Sequence, residues 1–285
     1  MVNSETVLHD FIFGLEKAID MRTKQRRLTV PEFTALKESG RKISMLTAYD
    51  YPTARVLDRA GIKGILVGDS LGTVVQGHAT TIPVTLDQII YHAEMVSRAV
   101  RHALLVVDLP FPTFHLGPMH ALESAARVIQ ETGCQAVKLE GGVERAEVIR
   151  ALVQAGIPVM AHVGLLPQSV NQMGQYSVQR NRDRLLADAR AVEQAGAFAV
   201  VLECVLADVA LEITQTVRIP TIGIGAGAGC DGQILVTHDL LGLTSGRVPR
   251  HVKVFADLKT AMTQAVLEYR KAVHNSTFPG PEQTF

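Results

Sequence analysis

The sequence has little of what marks several large classes of protein. No run of apolar residues is longer than six, whereas a transmembrane helix needs about 20, so we expect no membrane span. The 28 basic and 28 acidic side chains cancel, which disfavours a nucleic-acid-binding protein because such proteins carry a basic surface. The three cysteines form no C-x-x-C pair, so neither a disulfide framework nor a cysteine zinc site is indicated.

What is present is the composition of a folded chain. Hydrophobic residues make up 47% of the 285 residues and charged residues 20%, which excludes general disorder. The length suits one large domain or two modest ones. Together with the absences, this composition favours a soluble enzyme of the cytoplasm that acts on small molecules.

The first residues predict a separate helix. Apolar residues recur at helical spacing over residues 4–20, which is typical of a helix with one apolar stripe. A basic stretch follows, as in a mitochondrial transit peptide, but such peptides are poor in acidic residues and this helix has several. We therefore divide the chain into an N-terminal helical extension, residues 1–28, and a catalytic domain, residues 29–285. The extension is expected to pack on the body or on a neighbouring subunit.

From residue 43 onward, short apolar runs alternate with amphipathic stretches. The runs are almost wholly apolar, as expected of parallel strands that are buried on both faces. The length of about 260 residues after the extension suits a (β/α)8 barrel, which typically has about 250. A doubly wound open sheet is the alternative, but no glycine-rich fingerprint follows the first run. The predicted strands are Ile43–Ala48, Gly64–Gly68, Ala103–Val107, Gln135–Leu139, Pro158–Ala161, Phe198–Leu202 and Thr221–Ile224, with an eighth within Gln233–Thr237 and a C-terminal helix over 250–273.

Four of the runs end in a carboxylate and a fifth ends in histidine. The acids are Asp69, Asp108, Glu140 and Glu203, and the histidine is His162. The carboxyl ends of barrel strands surround the active site, so these side chains are expected to converge there. A single Asp after a strand often caps the next helix, but four acids at equivalent positions favour a site. Clustered carboxylates repel one another without a cation, and oxygen ligands without a soft partner favour Mg²⁺ or Mn²⁺.

Two features beside the acids predict substrate contacts. Lys138 lies two residues before Glu140, on the same face of the strand, where it either binds a substrate carboxylate or forms an ion pair with one of the acids. Ser70 opens a polar loop, residues 70–85, that is long for a connection in a barrel and indicates a lid. The glycine-rich segment 223–232 does not match a phosphate-binding loop, because no Lys-Ser/Thr follows it.

The ordered set of motifs resembles the ketopantoate hydroxymethyltransferase family. The resemblance runs from about Thr29 to the segment Phe278–Glu282. It implies a (β/α)8 barrel of the phosphoenolpyruvate-mutase/isocitrate-lyase type, commonly a homodecamer. The motifs are Val67–Gly72, Gln76–His78, Asp108–Phe111, Lys138–Gly142, His162–Leu165, Leu202–Cys204, Gly223–Gly227 and Asp231–Leu235.

The resemblance also implies the reaction and the roles of single residues. Members transfer a hydroxymethyl group from 5,10-methylenetetrahydrofolate to 3-methyl-2-oxobutanoate through an enolate that magnesium stabilises, the first step of pantothenate biosynthesis. Residue by residue, the resemblance assigns metal binding to Asp69, Asp108 and Glu140, oxo-acid binding to Asp69, Ser70, Asp108 and Lys138, and proton abstraction to Glu203, with His162 as an additional candidate.

The sequence departs from the family pattern at Ala79, 112–117 and 179–182, none of which is a matched metal or base position. These departures bear on how the folate side of the site is built. Two other functions stay open: a metal-dependent C–C bond lyase that acts on another 2-oxo acid without folate, and a non-catalytic scaffold. Turnover that depends on a one-carbon donor distinguishes the transferase from both.

Overall fold

The structure is a computed structural model that describes residues 26–174, 177–244, 246 and 248–285. The helix predicted over residues 4–20 lies outside the described residues. The division of the chain after residue 28 therefore stays a prediction.

Eight parallel strands close into a barrel in chain order, and β1 pairs with β8 to complete it. The closed barrel confirms the predicted fold and excludes the open sheet. The strands β3, β4 and β6 end at the acid that was predicted to follow the apolar run, and β5 continues two residues past His162. The strands are β1 Ile43–Thr47, β2 Gly64–Val67, β3 Leu104–Asp108, β4 Ala136–Glu140, β5 Val159–Gly164, β6 Ala199–Glu203, β7 Thr221–Ile224 and β8 Gly232–Leu235.

Helices surround the barrel and cross back between successive strands. β7 and β8 are instead joined directly by the loop 225–231, and the C-terminal helix begins at Leu258 rather than at the predicted residue 250. The helices are α1 Val30–Glu38, α2 Tyr51–Arg59, α3 Leu71–Val74, α4 Leu86–Ala99, α5 Pro118–Thr132, α6 Ala146–Gln154, α7 Val170–Met173, α8 Arg182–Gln194, α9 Ala207–Thr216, α10 Thr237–Leu240 and α11 Leu258–His274.

Two apolar layers follow from the two faces of each strand. One layer lies between the strands and the helices, and the other fills the inside of the barrel. Helix α1 closes the amino end of the barrel, where Phe33 packs edge-on against Phe198 with ring centroids 5.9 Å apart. A capping box between Thr29 and Glu32 starts this helix, because each residue satisfies a backbone N–H that the helix leaves unpaired.

The last helix lies apart from this packing. Every residue of α11 except Ala272 is exposed, including Met262, Val266 and Tyr269. Within the described part of the chain, no helix is long and apolar enough to cross a membrane.

Candidate active site

The inward-facing positions of the strands change from apolar to polar at the carboxyl end of the barrel. In β3 the inward face runs from Val106 to Asp108, and in β4 it runs from Ala136 through Lys138 to Glu140, since side chains alternate with a period of two. A cavity of about 120 Å³, open at its mouth, lies above the interior layer. The predicted site residues all line it: Asp69, Ser70, Asp108, Lys138, Glu140, His162 and Glu203.

Asp69 and Ser70 reach the cavity from the loop after β2. The backbone N–H of Asp69 donates to Asp108 Oδ2 over 3.3 Å, which ties the ends of two neighbouring strands together. Ser70 Oγ lies 2.6 Å from the hydroxyl oxygen of Tyr49. Thr81, from the same loop, also lines the cavity. The segment over residues 70–85 therefore supplies one wall of the site, although it begins with the short helix α3 and is not a loop throughout as predicted.

Lys138 forms an ion pair, which is one of the two roles that the sequence left open. Its Nζ lies 2.9 and 2.8 Å from the two carboxylate oxygens of Asp108 and 3.9 Å from Glu140 Oε1. Burial lowers the pKa of Lys138, but the nearby carboxylates, Asp108 foremost, raise it by more. The ammonium is therefore charged and gives the cavity one positive group.

The carboxylates are buried beyond what one lysine can compensate. Asp69, Asp108 and Glu140 are each at most 5% exposed. Burial raises the pKa of Asp108 to about 7 in spite of Lys138, and burial also raises the pKa of Glu140 well above its usual value. With all three ionised, three negative charges would face one positive charge, so the site favours a further cation.

Glu140 shows the deficit at a single atom. Its Oε1 is buried and has no hydrogen-bond partner among the described residues, which is costly for a carboxylate oxygen. A divalent cation would supply the missing partner and balance the charge. In the part of the chain that the structure describes, however, no three His, Cys, Asp or Glu side chains already lie close enough to hold one ion. The ammonium of Lys138 engages both oxygens of Asp108 instead.

His162 lies between the acidic cluster and Glu203. Its Nε2 is 3.2 Å from Glu203 Oε2 and its Nδ1 is 3.7 Å from Glu140 Oε1. The first contact lacks the alignment of a hydrogen bond and the second is too long for one, so both nitrogens are without a hydrogen-bond partner among the described residues. Burial lowers the pKa of His162, so the ring is neutral at pH 7. The side chain of Glu203 is 17% exposed, whereas that of Glu140 is 3% exposed. Glu203 is therefore the acid that a ligand in the cavity reaches most easily.

Sequence reasoning missed Tyr49 and Gln168. Tyr49 follows β1 at the carboxyl end of the barrel, and extending the strand-end rule from acids to hydroxyls would have found it. Gln168 lies in a 3₁₀ turn, Pro167–Ser169, well past the end of β5. Its backbone N–H donates to Glu140 Oε2 over 3.0 Å, and its side-chain amide donates to Asp69 Oδ2 over 2.9 Å. No spacing in the sequence indicates such a contact.

Solved structures with a similar barrel confirm the predicted fold type. Phosphoenolpyruvate phosphomutase from Streptomyces platensis subsp. rosaceus aligns with a TM-score of 0.61 at 16% identity, over 87% of this chain and 88% of that one. 2,3-Dimethylmalate lyase, a member of the PEP mutase/isocitrate lyase superfamily, aligns with a TM-score of 0.57 at 20% identity, over 90% and 91%. At such identities the likeness concerns the fold alone.

Sequence comparison identifies the family. The family model described as ketopantoate hydroxymethyltransferase matches residues 27–281. The 3-methyl-2-oxobutanoate hydroxymethyltransferase of Rhodopirellula baltica is 53% identical over 262 residues, which cover 92% of this chain and 97% of that protein. The protein of the same name from Chloroflexus aurantiacus is 55% identical over 262 residues, which cover 90% and 92%. The chain belongs to the ketopantoate hydroxymethyltransferase family.

Proposed function

We propose that the chain transfers a hydroxymethyl group from 5,10-methylenetetrahydrofolate to 3-methyl-2-oxobutanoate, giving ketopantoate, the first step of pantothenate biosynthesis. Membership of the family supports this activity. The observation that carries the proposal is the mixed lining of the cavity at the carboxyl end of the barrel. Carboxylates and a charged lysine line it together with branched apolar side chains, and both kinds of group suit a small acid with a branched alkyl group.

The apolar part of the cavity lining comes from inward residues of several strands, namely Leu66, Val201, Ile224 and Ile234. These side chains suit the two methyl groups of 3-methyl-2-oxobutanoate, because apolar surface leaves water on contact. The ammonium of Lys138, in the same cavity, suits the carboxylate end of that molecule.

The acidic cluster fits a divalent cation. Asp69, Asp108 and Glu140 would hold Mg²⁺ or Mn²⁺ through oxygen ligands, the type that both ions prefer. When bound, the ion polarises the keto group and stabilises the negative charge that develops on its oxygen. For Asp108 to ligate, the ammonium of Lys138 has to leave its oxygens, and a substrate carboxylate offers it a new partner.

Glu203 is the proposed base. It is the most accessible acid of the cavity, and His162 lies 3.2 Å from its Oε2 on the side away from solvent. A carboxylate in this position removes the C3 proton of the oxo acid, a role that contributes about 10²–10⁴-fold to a rate. One water molecule releases the one-carbon unit from both tetrahydrofolate nitrogens, which take up its two protons, and leaves its oxygen on that carbon. C3 then bonds to this carbon, and the proton taken by Glu203 goes to the oxygen, which becomes the hydroxyl group.

The test is an assay of purified protein with 3-methyl-2-oxobutanoate, methylenetetrahydrofolate and Mg²⁺ for ketopantoate. We expect product only when the one-carbon donor is present. Cleavage of the oxo acid without the donor would indicate a lyase instead. Absence of any turnover with a folded, metal-loaded protein would indicate the scaffold function and contradict the proposal.

We also propose a homo-oligomer, which the family resemblance extends to a decamer. Apolar side chains on α11 are exposed, among them Met262, Val266 and Tyr269, and a helix with such a face gains stability by packing against another surface. Light scattering on the eluting protein would give the mass. A monomer at micromolar concentration would contradict this assembly.

A further inference from the structure

One residue ties together the ends of three strands at the acidic cluster. The backbone N–H of Gln168 donates to Glu140 Oε2 over 3.0 Å. Its side-chain Nε2 donates to Asp69 Oδ2 over 2.9 Å and to the carbonyl oxygen of Leu109 over 3.0 Å. Glu140 ends β4, Asp69 follows β2, and Leu109 directly follows Asp108 at the end of β3. The turn after β5 therefore fixes all three predicted ligand positions through a single residue.

The orientation of the Gln168 amide is set by its partners. Both groups near Nε2 are acceptors, so only the NH₂ end can face them. The opposite atom, Oε1, is buried and has no hydrogen-bond partner among the described residues. The residue is 4% exposed. A buried amide oxygen without a partner is costly. The two hydrogen bonds that the NH₂ group donates offset this cost.

Gln168 donates a hydrogen bond to one oxygen of the Glu140 carboxylate and to one oxygen of the Asp69 carboxylate, and it does not engage the second oxygen of either group. At Glu140 the N–H occupies Oε2, while Oε1 is buried and unpaired in the described part of the chain. At Asp69 the amide occupies Oδ2. Donors that hold one oxygen of a ligating carboxylate fix the direction of the other one, and such supporting contacts commonly set metal affinity.

We propose that Gln168 is a positioning residue that holds Asp69 and Glu140 so that their free oxygens meet on one divalent cation. This inference rests on the proposed metal site. It differs from a purely structural role because the contacts lie on the ligand oxygens and not only on the backbone.

The chain offers a matched control at the opposite end of the barrel. Gln135 precedes β4, accepts from the Leu105 N–H over 3.1 Å and donates to the Leu28 carbonyl over 2.6 Å. It is a partly buried glutamine that also joins separate segments, but among the described residues its side chain forms no hydrogen bond with a carboxylate. Gln135→Met and Gln168→Met remove the same amide chemistry from the two ends of the barrel.

The test measures Mn²⁺ binding to the metal-free protein by the electron paramagnetic resonance signal of free Mn²⁺, alongside the thermal midpoint without metal. We expect Gln168→Met to weaken Mn²⁺ binding on the order of 10–100-fold, the usual loss when a supporting contact of a ligand is removed. We expect Gln135→Met to bind Mn²⁺ as the unchanged protein does. At saturating Mn²⁺, kcat of Gln168→Met should recover towards that of the unchanged protein.

Several results would overturn the inference. Equal Mn²⁺ affinity in the unchanged protein and in Gln168→Met would remove Gln168 from the site, and equal weakening in both methionine variants would show a general structural effect. If Gln168→Met does not fold, Gln168→Asn replaces it, because its shorter amide cannot reach Asp69, and unchanged affinity there is again contradictory. An unchanged protein that binds no Mn²⁺ would contradict the metal site itself and this inference with it.

Discussion

Asp58 and Glu140 are buried carboxylates at opposite ends of the same barrel, and their surroundings differ. Asp58, at the amino end, accepts from the backbone N–H groups of Arg101, His102 and Ala103 at 2.9, 2.9 and 2.8 Å. Burial alone would raise the pKa of Asp58, but these donors outweigh it, and the pKa lies below its usual value. The pKa of Glu140 is raised instead.

We infer from this difference that Asp58 stabilises the fold and that Glu140 serves the proposed site. At the amino end, the charge is fully supplied with donors, and α1 closes the barrel with apolar side chains. At the carboxyl end, Glu140 keeps an unpaired oxygen, and burial raises the pKa of Asp108 to about 7. A site that only stabilised the fold would not contain such poorly compensated charged groups, whereas a site that binds a cation and an acid needs groups that are not already paired.

The largest expected effect comes from removing an acid at the carboxyl end. Asp69→Asn keeps the shape of the side chain but removes the charge of a proposed metal ligand. Metal-ion stabilisation is worth several kcal/mol, so we expect kcat/KM to fall on the order of 10³-fold. Urea unfolding of the metal-free variant should show no loss of stability, because the substitution removes repulsion from Asp108 and Glu140. Full activity of Asp69→Asn would contradict the assignment.

At the amino end we expect the opposite result. Asp58→Asn leaves some of the three backbone donors without a charged acceptor, which should cost about 2 kcal/mol in the free energy of unfolding at pH 7, with kcat unchanged in the folded fraction. Because the pKa of Asp58 is lowered in the folded state, its contribution to stability is complete above the usual aspartate pKa of 3.8 and is lost as the pH falls through the lower pKa of the folded state. The stability difference from the unchanged protein, followed by urea unfolding, should shrink below that pH. A difference that persists at acid pH would show that the charge is not its cause.

The smallest effect is expected from the extension. The described barrel closes without it, so deleting residues 2–25 should leave the rate per site unchanged in any assembled protein. Steady-state kinetics of the truncated protein, with light scattering to show its assembly, checks this. A folded and assembled protein that has lost turnover would show that the extension belongs to the site.

The site residues at the strand ends were predictable from the sequence, because every strand of such a barrel brings its carboxyl end to the same opening. Lys138 and Glu140 share a face through the period of two, and the position at the end of a strand placed Asp108, His162 and Glu203. Both patterns need only local sequence, and the closed topology brings the ends together.

Other elements depend on contacts that local sequence does not encode. Gln168 lies in a turn after β5, and its hydrogen bonds reach residues at the ends of three other strands. The helix α11 begins at Leu258 and not at residue 250, because residues 250–257 carry apolar residues as the helix does but are irregular in the structure. Helix α1 was missed although Thr29, Pro31 and Glu32 form the start signal of a helix.

The central claim is that the carboxyl end of the barrel removes the C3 proton of a branched 2-oxo acid through Glu203. Proton NMR of 3-methyl-2-oxobutanoate in D₂O with Mg²⁺, without folate, follows that step alone. We expect exchange of the C3 hydrogen with the unchanged protein and with Glu147→Gln, an exposed control on α6, and loss of exchange in Glu203→Gln, which should still bind Mg²⁺ and the oxo acid. Exchange at the unchanged rate in Glu203→Gln would contradict the account.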